Sequence, residues 1–341
     1  MKKNLKRLAI TVFSKLLQQN KIKSLINDLV RDASINVPRL ENQSNPYTSV
    51  GEIQESGARF RSDIVFVTGR FRSGSTVLWN LFRQIDGCTA FYEPFNERQW
   101  FSTQKREGSV DKTHIGVDDY WAEYDGLDKS AELYNEDWIR YNLCMDKESW
   151  NPNMLKFIES IINSTSGIPV LQFNRIDFRL DWIKHNFPNA KIIHLYRHPR
   201  DQWLSFLADK KLMNKRDVEF TYVDNFYLNS WCRDLSVLFP FLNSDETPHP
   251  YRRFYYIWKL SFLFGKKYAD LSVDYESLAT SPNQEVQKIF TALDWSLDPK
   301  NYSHVFKSPT LDKWKVYADD DWFRSHELCC EENIQKYFDA K

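Results

Sequence analysis

Short apolar runs alternate with stretches of helical periodicity along this chain. Ile64–Val67, Ile168–Phe173, Ala190–Tyr196 and Leu271–Tyr275 are apolar runs of strand length bounded by polar or turn residues, and they predict buried strands. Between them, Val77, Leu78, Leu81, Phe82 and Ile85 recur at helical spacing. Arg179–Asn186 predicts a short helix closed by Pro188, and a further helix runs from Pro199 through Leu207. Residues 218–264 predict helices interrupted at Thr247–Pro250, and Val286, Ile289, Phe290 and Leu293 share one face of a helix over Pro282–Leu293. Phe91–Asn96 reads as a strand end or loop, because Pro94 disfavours helix at Glu93. Strands alternating with helices predict an α/β fold with a parallel sheet covered on both faces. No repeat or low-complexity segment interrupts it.

The ends and one internal segment break this rhythm. Residues 1–24 carry seven Lys or Arg and no acid, and Leu5, Leu8, Val12, Phe13, Leu16 and Leu17 fall on one helical face. Such a basic amphipathic helix either lies on an anionic membrane surface or packs on a protein. With the polar, proline-containing stretch 35–62 it forms an N-terminal helix and linker over 1–60, leaving 61–341 as a single domain. Residues 97–165 read as an insertion without clean periodicity. Trp100, Tyr120, Trp121, Tyr124, Tyr134, Trp138, Tyr141 and Trp150 fall in it, as the core of a helical subdomain or as the wall of a lid or acceptor pocket.

Composition narrows the classes. The chain has 341 residues, 42% of them hydrophobic and 27% charged, which suits a globular domain with a sizeable core. Zero formal net charge argues against bulk attraction to nucleic acid. Five cysteines without metal or disulfide spacing predict reduced thiols in a cytoplasmic protein, peripheral to the inner membrane face if residues 1–24 touch lipid. No apolar run approaches a membrane span, and Leu8–Phe13 is too short for a signal-peptide core.

The chemistry concentrates where the first strand meets the first helix. Gly69-Arg70-Phe71-Arg72-Ser73-Gly74-Ser75-Thr76 is a basic, glycine-punctuated turn. Free N–H groups of a first helical turn bind anions. Gly69 and Gly74 stand where the phosphate loop of nucleotide-binding proteins has its glycines, but Ser75 takes the place of the Lys and the cation moves back to Arg72. A second basic site follows the Ala190–Tyr196 strand, with Arg197 at its carboxyl end and Ser205 two turns into the next helix. Ligands of open α/β sheets bind at that edge, so both sites can share one crevice and take a nucleotide with anions at both ends of its ribose.

These segments carry a resemblance. Gly69–Thr76 with Val77–Phe82 resembles the 5′-phosphosulfate loop of the sulfotransferases that use PAPS, 3′-phosphoadenosine 5′-phosphosulfate. Tyr196–Phe206 resembles their 3′-phosphate motif, whose Arg and Ser stand as Arg197 and Ser205 do. Asp274–Trp295 looks like the family's Y-E-x-L segment with its following helix, and Leu311–Tyr317 is similar to the C-terminal basic-Trp-basic element that closes over the nucleotide. The R-S-G-S-T form at Arg72–Thr76, with Glu93-Pro94 nearby, is closer to the carbohydrate branch, whereas the soluble small-molecule branch has Lys at the position of Arg72. The resemblance implies a P-loop-like sheet and transfer of a sulfuryl group from PAPS to a hydroxyl acceptor, a glycan or glycoconjugate. It implies PAPS contacts by Arg70, Arg72, Ser73, Gly74, Ser75, Thr76, Arg197, Ser205, Tyr275, Lys313, Trp314 and Lys315.

Sulfuryl transfer needs a cradle for the departing phosphate, charge stabilisation on the moving group and a base for the acceptor proton. The loop amides with Ser73, Ser75 and Thr76 suit the first, and Arg72 the second. By the resemblance Glu93 is the first choice of base and His114 the second. No metal is implied, since no His, Cys or Asp cluster has ligand spacing. A phosphate-loop kinase or NTPase is the competing enzyme class, though it wants the missing Lys and Mg²⁺. A non-catalytic membrane-surface module built on residues 1–24 is the other alternative.

Overall fold

The computed structural model describes residues 57–340 apart from 107–109, 112, 113, 115 and 307–309, all within the unit spanning 47–341. The basic segment 1–24 and most of the linker lie outside the described residues.

Five parallel strands form the sheet: β1 (Val65–Gly69), β2 (Cys88–Tyr92), β3 (Ile168–Phe173), β4 (Lys191–Tyr196) and β5 (Leu271–Asp274), in the order β2-β3-β1-β4-β5. Strand β1 is central, with Val67 beside Gln172 of β3 and Ile193 of β4. Every residue of β1 is buried, as expected of a strand covered on both faces. The four expected strands are present within a residue or two. β2 is longer than the expected strand end, because Cys88–Tyr92 pairs along Ile168–Gln172 before Glu93 breaks away.

The helices are α1 (Ser75–Arg83), α2 (Pro152–Asn163), α3 (Leu180–Asn186), α4 (Pro199–Phe206), α5 (Val218–Thr221), α6 (Leu228–Leu235), α7 (Pro250–Tyr268), α8 (Tyr275–Thr280), α9 (Pro282–Ala292) and α10 (Asp320–Asp339). Helix α2 begins as its sequence dictates, with the Asn151 side chain accepting from Met154 N–H and Pro152 in the first turn. Tyr275, expected as the last residue of a strand, instead starts α8, because the Asp274 side chain caps that helix through Ser277 N–H. Helix α10 was not expected from the apolar pattern. It is held by polar bonds along α7, with the Tyr251, Tyr255 and Tyr256 hydroxyls engaging Glu327, Glu331 and Asn333.

The insertion is a set of short 3₁₀ turns followed by α2, not a separate helical subdomain. Its aromatic residues divide. Tyr124 and Trp138 are buried in the core around the sheet, and Trp100 and Tyr120 both pack on that core and line the cleft. A second apolar cluster lies among α4, α6, α7 and α10, around Trp203, Trp231, Tyr251 and Phe323. Among the described residues no helix is long and apolar enough to cross a membrane.

Candidate active site

A cleft of about 710 Å³ opens at the carboxyl edge of the sheet, lined by residues that follow β1, β2, β3, β4 and β5. The turn after β1 builds one end. Arg72 and Gly74 both have positive φ, 66° and 96°, and Ser73 N–H closes the turn on Arg70 C=O at 3.0 Å. A Cβ on Gly74 would sit 2.4 Å from the Tyr275 ring, so only glycine lets that ring lie against the turn. Helix α1 then starts with no side-chain cap and no acid in its first turn. Its leading amides have no intrahelical acceptor, and the helix dipole adds positive potential there.

Two arginines stand beside this helix start. Arg72 Nε donates to the Ser205 hydroxyl at 3.1 Å, and its NH1 is 3.7 Å from Asp111. Arg197 NH1 donates to the Arg72 carbonyl at 3.1 Å, and its guanidinium lies 4.8 Å from the centre of the Tyr275 ring. Arg197 Nε is buried without a hydrogen-bond acceptor, 3.7 Å from Glu276 Oε1, which is also buried and unbonded. Burial, with Asp274 adding to it, pushes the Glu276 carboxyl up to about 7, against the pull of Arg197 and of the bond from His198 N–H. The segments around Arg72 and Arg197–Ser205, separate in the sequence, therefore form one contiguous basic surface in the cleft.

The opposite wall is organised by Glu93. This residue leaves β2 with φ 43°, and its carboxylate is buried. Oε1 accepts from Asn174 at 2.6 Å, while Oε2 accepts from Asn96 at 2.6 Å and from Arg175 at 2.9 Å. Arg175 spans to Glu97 at 2.6 Å and lies over the Phe71 ring. Its two carboxylate partners hold the buried guanidinium protonated against desolvation.

Between these walls stands His114. Its Nε2 is 3.3 Å from the Thr76 hydroxyl and its Nδ1 is 2.5 Å from the Tyr120 hydroxyl. Burial chiefly, with Arg72 contributing, lowers its pKa, while Asp111 and Glu93 pull the other way. Thr76 also bonds the Tyr92 hydroxyl at 3.1 Å.

Of the residues expected at the site, Arg72, Gly74, Ser75, Thr76, Glu93, His114, Arg197, Ser205 and Tyr275 line this one cleft. Five do not. Arg70 turns inward, 3.8 Å from Asp177 and over the Trp231 ring at 4.1 Å, and burial lowers its pKa to about 10. Arg70 is thus part of the core, where the Asp177 carboxylate also accepts from Thr68 and Ser261. Ser73 Oγ packs over Gly69, buried and unbonded. Lys313, Trp314 and Lys315 are not among the lining residues; Asp201 accepts from the Asp312 and Trp314 amides, and Arg200 lies over the Trp314 ring. Sequence reasoning missed Asn96, Glu97, Asn174, Arg175 and Tyr227. Arg175 carried a usable signal, since it follows the β3 apolar run much as Arg197 follows β4. Among the described residues no group of His, Cys, Asp and Glu could hold a metal ion.

A sulfotransferase family model matches residues 64–299, so the chain belongs to the sulfotransferase family and is an enzyme of that class. That assignment replaces the kinase and non-catalytic readings. The fold is similar to the sulfotransferase domain of the Synechococcus PCC 7002 olefin synthase, with 16% identity, 84% of this chain and 98% of that one covered, and a TM-score of 0.40. It is also similar to a sulfotransferase from Mycobacterium avium, at 12% identity, 82% and 76% coverage and a TM-score of 0.41. A sulfotransferase from Alicyclobacillus acidocaldarius is 14% identical, with 80% and 92% coverage and a TM-score of 0.37. No curated protein matches the chain.

Proposed function

We propose that this enzyme transfers the sulfuryl group of PAPS to a hydroxyl of a glycan or glycoconjugate. The observation that carries the donor half is the shared surface of Arg72, Arg197, Ser205 and the uncapped start of α1. The buried Arg197 Nε, lacking an acceptor, suits a phosphate oxygen, and the α1 amides with Ser75 and Thr76 suit the 5′-phosphosulfate. Tyr275, packed against Gly74 and Arg197, lines the cleft where the nucleoside would lie.

The acceptor half rests on the other wall. Glu93, Glu97, Asn96 and Asn174 offer paired donors and acceptors to neighbouring hydroxyls, and Trp100 and Tyr227 offer aromatic faces to a sugar ring. In this reading the acceptor oxygen forms a bond to sulfur as the bond from sulfur to the phosphate oxygen breaks. The electron pair leaves with PAP, 3′-phosphoadenosine 5′-phosphate, and the acceptor proton passes to the Glu93 carboxylate. Arg72 meets the charge that develops on the leaving side. The scattered free cysteines favour a cytoplasmic setting, and residues 1–24 suit peripheral contact with an anionic membrane face.

Incubating the purified chain with ³⁵S-labelled PAPS and a panel of glycans, glycolipids and simple alcohols tests this. Label is expected in a glycan-bearing acceptor. Transfer only to simple alcohols overturns the glycan assignment, and no transfer to any acceptor overturns the activity.

A further inference from the structure

The hydrogen bonds around His114 have a direction. Asp111 N–H donates to the Tyr120 hydroxyl at 2.9 Å. A phenol has one hydrogen to give, and among the described residues the only other polar partner of that hydroxyl is His114 Nδ1, at 2.5 Å. Tyr120 is 3% exposed, and burial raises its pKa, so the phenol keeps its hydrogen. Among the described residues, that hydrogen is satisfied by Nδ1 acting as acceptor. Burial, with Arg72, lowers the pKa of the ring against the pull of Asp111 and Glu93, and in the neutral ring with Nδ1 accepting the single hydrogen sits on Nε2. Nε2–H then donates to Thr76, Thr76 O–H donates to Tyr92, and the Tyr92 phenol faces the charge of Glu93. The polarity runs one way along these bonds, starting from a backbone amide that can only donate.

We propose that Tyr120 is a positioning residue that locks His114 as the neutral Nε2–H tautomer, so that His114 serves the transfer as a hydrogen-bond donor beside Arg72 and not as its base. This rests on the sulfuryl-transfer reading above. A base must present a lone pair to the acceptor hydroxyl, and Nε2 has none in this tautomer. A donor at the start of α1 stands where negative charge develops on the sulfuryl oxygens and the departing phosphate. The 3.3 Å contact to Thr76 is the longest in the chain of bonds, and Nε2–H can exchange it for a sulfuryl oxygen. Tyr120 is itself fixed by rings, stacked on Tyr92 at 4.5 Å and packed on Trp100 at 5.2 Å. Its hydroxyl can therefore be removed without losing its packing.

The test reads the tautomer directly. The full chain is labelled with ¹⁵N-histidine, and two-bond ¹H–¹⁵N correlations are recorded at pH 7, with His114 assigned by the signal missing in His114→Gln. The expected spectrum shows Nε2 protonated and Nδ1 bare, and Tyr120→Phe should move the ring toward the Nδ1–H form. An Nδ1–H ring or an imidazolium in the wild type overturns the proposal, as does a tautomer unchanged by Tyr120→Phe. Single-turnover transfer supplies a second reading. Gln keeps an amide N–H near the position of Nε2–H but cannot take a proton. His114→Gln should stay within about 10-fold of wild type while His114→Ala loses about 10²-fold. Equal losses would make His114 the base. A wild-type chain inactive with PAPS counts against the proposed function, and the spectrum still decides the tautomer.

Discussion

Arginine anchors both ends of the cleft, and its partners give the two ends opposite character. At the α1 end, Arg72 bonds a neutral hydroxyl and stands 3.7 Å from Asp111, while Arg197 bonds a carbonyl and its Nε, without a hydrogen-bond acceptor, stands 3.7 Å from Glu276. At the Glu93 end, Arg175 is bonded to Glu93 at 2.9 Å, to Glu97 at 2.6 Å and to the Asn174 side chain at 2.6 Å. The first pair meets its carboxylates only at 3.7 Å, without a hydrogen bond, and Arg197 Nε has no acceptor. The charge of Arg175 is already matched, so it orients carboxylates. An arginine in a cleft is thus read by what already occupies its donors.

The largest test of this contrast is Glu93→Gln, which keeps shape and removes the proposed base. Single-turnover sulfuryl transfer should fall by about 10²–10⁴-fold while PAP affinity holds. A wild-type rate would make Glu93 a structural partner of Arg175. At the other end, Arg72→Ala should lower kcat by about 10²-fold, with Arg72→Lys recovering part of it, because a cation beside the breaking bond acts most in the transition state. Comparable losses in PAP affinity and kcat would instead make Arg72 a binding residue.

Arg197→Ala should weaken PAP by about 2–3 kcal/mol in calorimetry, as for one charge-assisted contact. Adenosine 5′-phosphate, lacking the 3′-phosphate, should be little affected; equal losses for both ligands would place Arg197 elsewhere on the nucleotide. The smallest effect expected is that of pH. Glu276 has its carboxyl raised to about 7, so it is charged above that pH and competes with a ligand anion for Arg197. PAP affinity should rise a few-fold as pH falls through about 7, and Glu276→Gln should remove that component. The same raised pKa means the folded chain holds a proton that the unfolded chain releases between about 4.5 and 7, so Glu276 lowers stability as pH rises through that window. Glu276→Gln should flatten this part of the melting-temperature profile.

Much of the architecture was legible because its signals are local. Apolar runs marked four of the five strands, and the shortest lead into a turn, Phe91–Asn96, hid the fifth. The chemistry was legible only where it rode on those local signals. Arg72 and Arg197 follow apolar runs and precede helices, so their place at the carboxyl edge could be read from order alone. Arg175 follows a run as well, but its neighbours Asn174 and Ile176 lead into a 3₁₀ turn over Asp177–Arg179 and showed no phosphate-loop pattern. Helix α10 escaped because polar bonds to α7 hold much of its length, and they leave a weak apolar period.

The sequence by itself determined the alternation of strands and helices, the glycine-bracketed turn before α1 and the family to which the chain belongs. Each of these depends on residues a few positions apart, through backbone sterics, helix-end amides and apolar period. Only the tertiary structure decided that Arg70 and Arg72, two residues apart, take opposite fates, one over Trp231 in the core and one at the cleft beside Ser205. It also turned Ser73 toward Gly69, docked Trp314 on Asp201 and brought Arg175 onto Glu93 across 82 positions of sequence. The physical reason is that the direction of a side chain in a turn, and the partner of a buried charge, are chosen by desolvation and hydrogen bonding among groups far apart in the chain. No spacing rule encodes that choice.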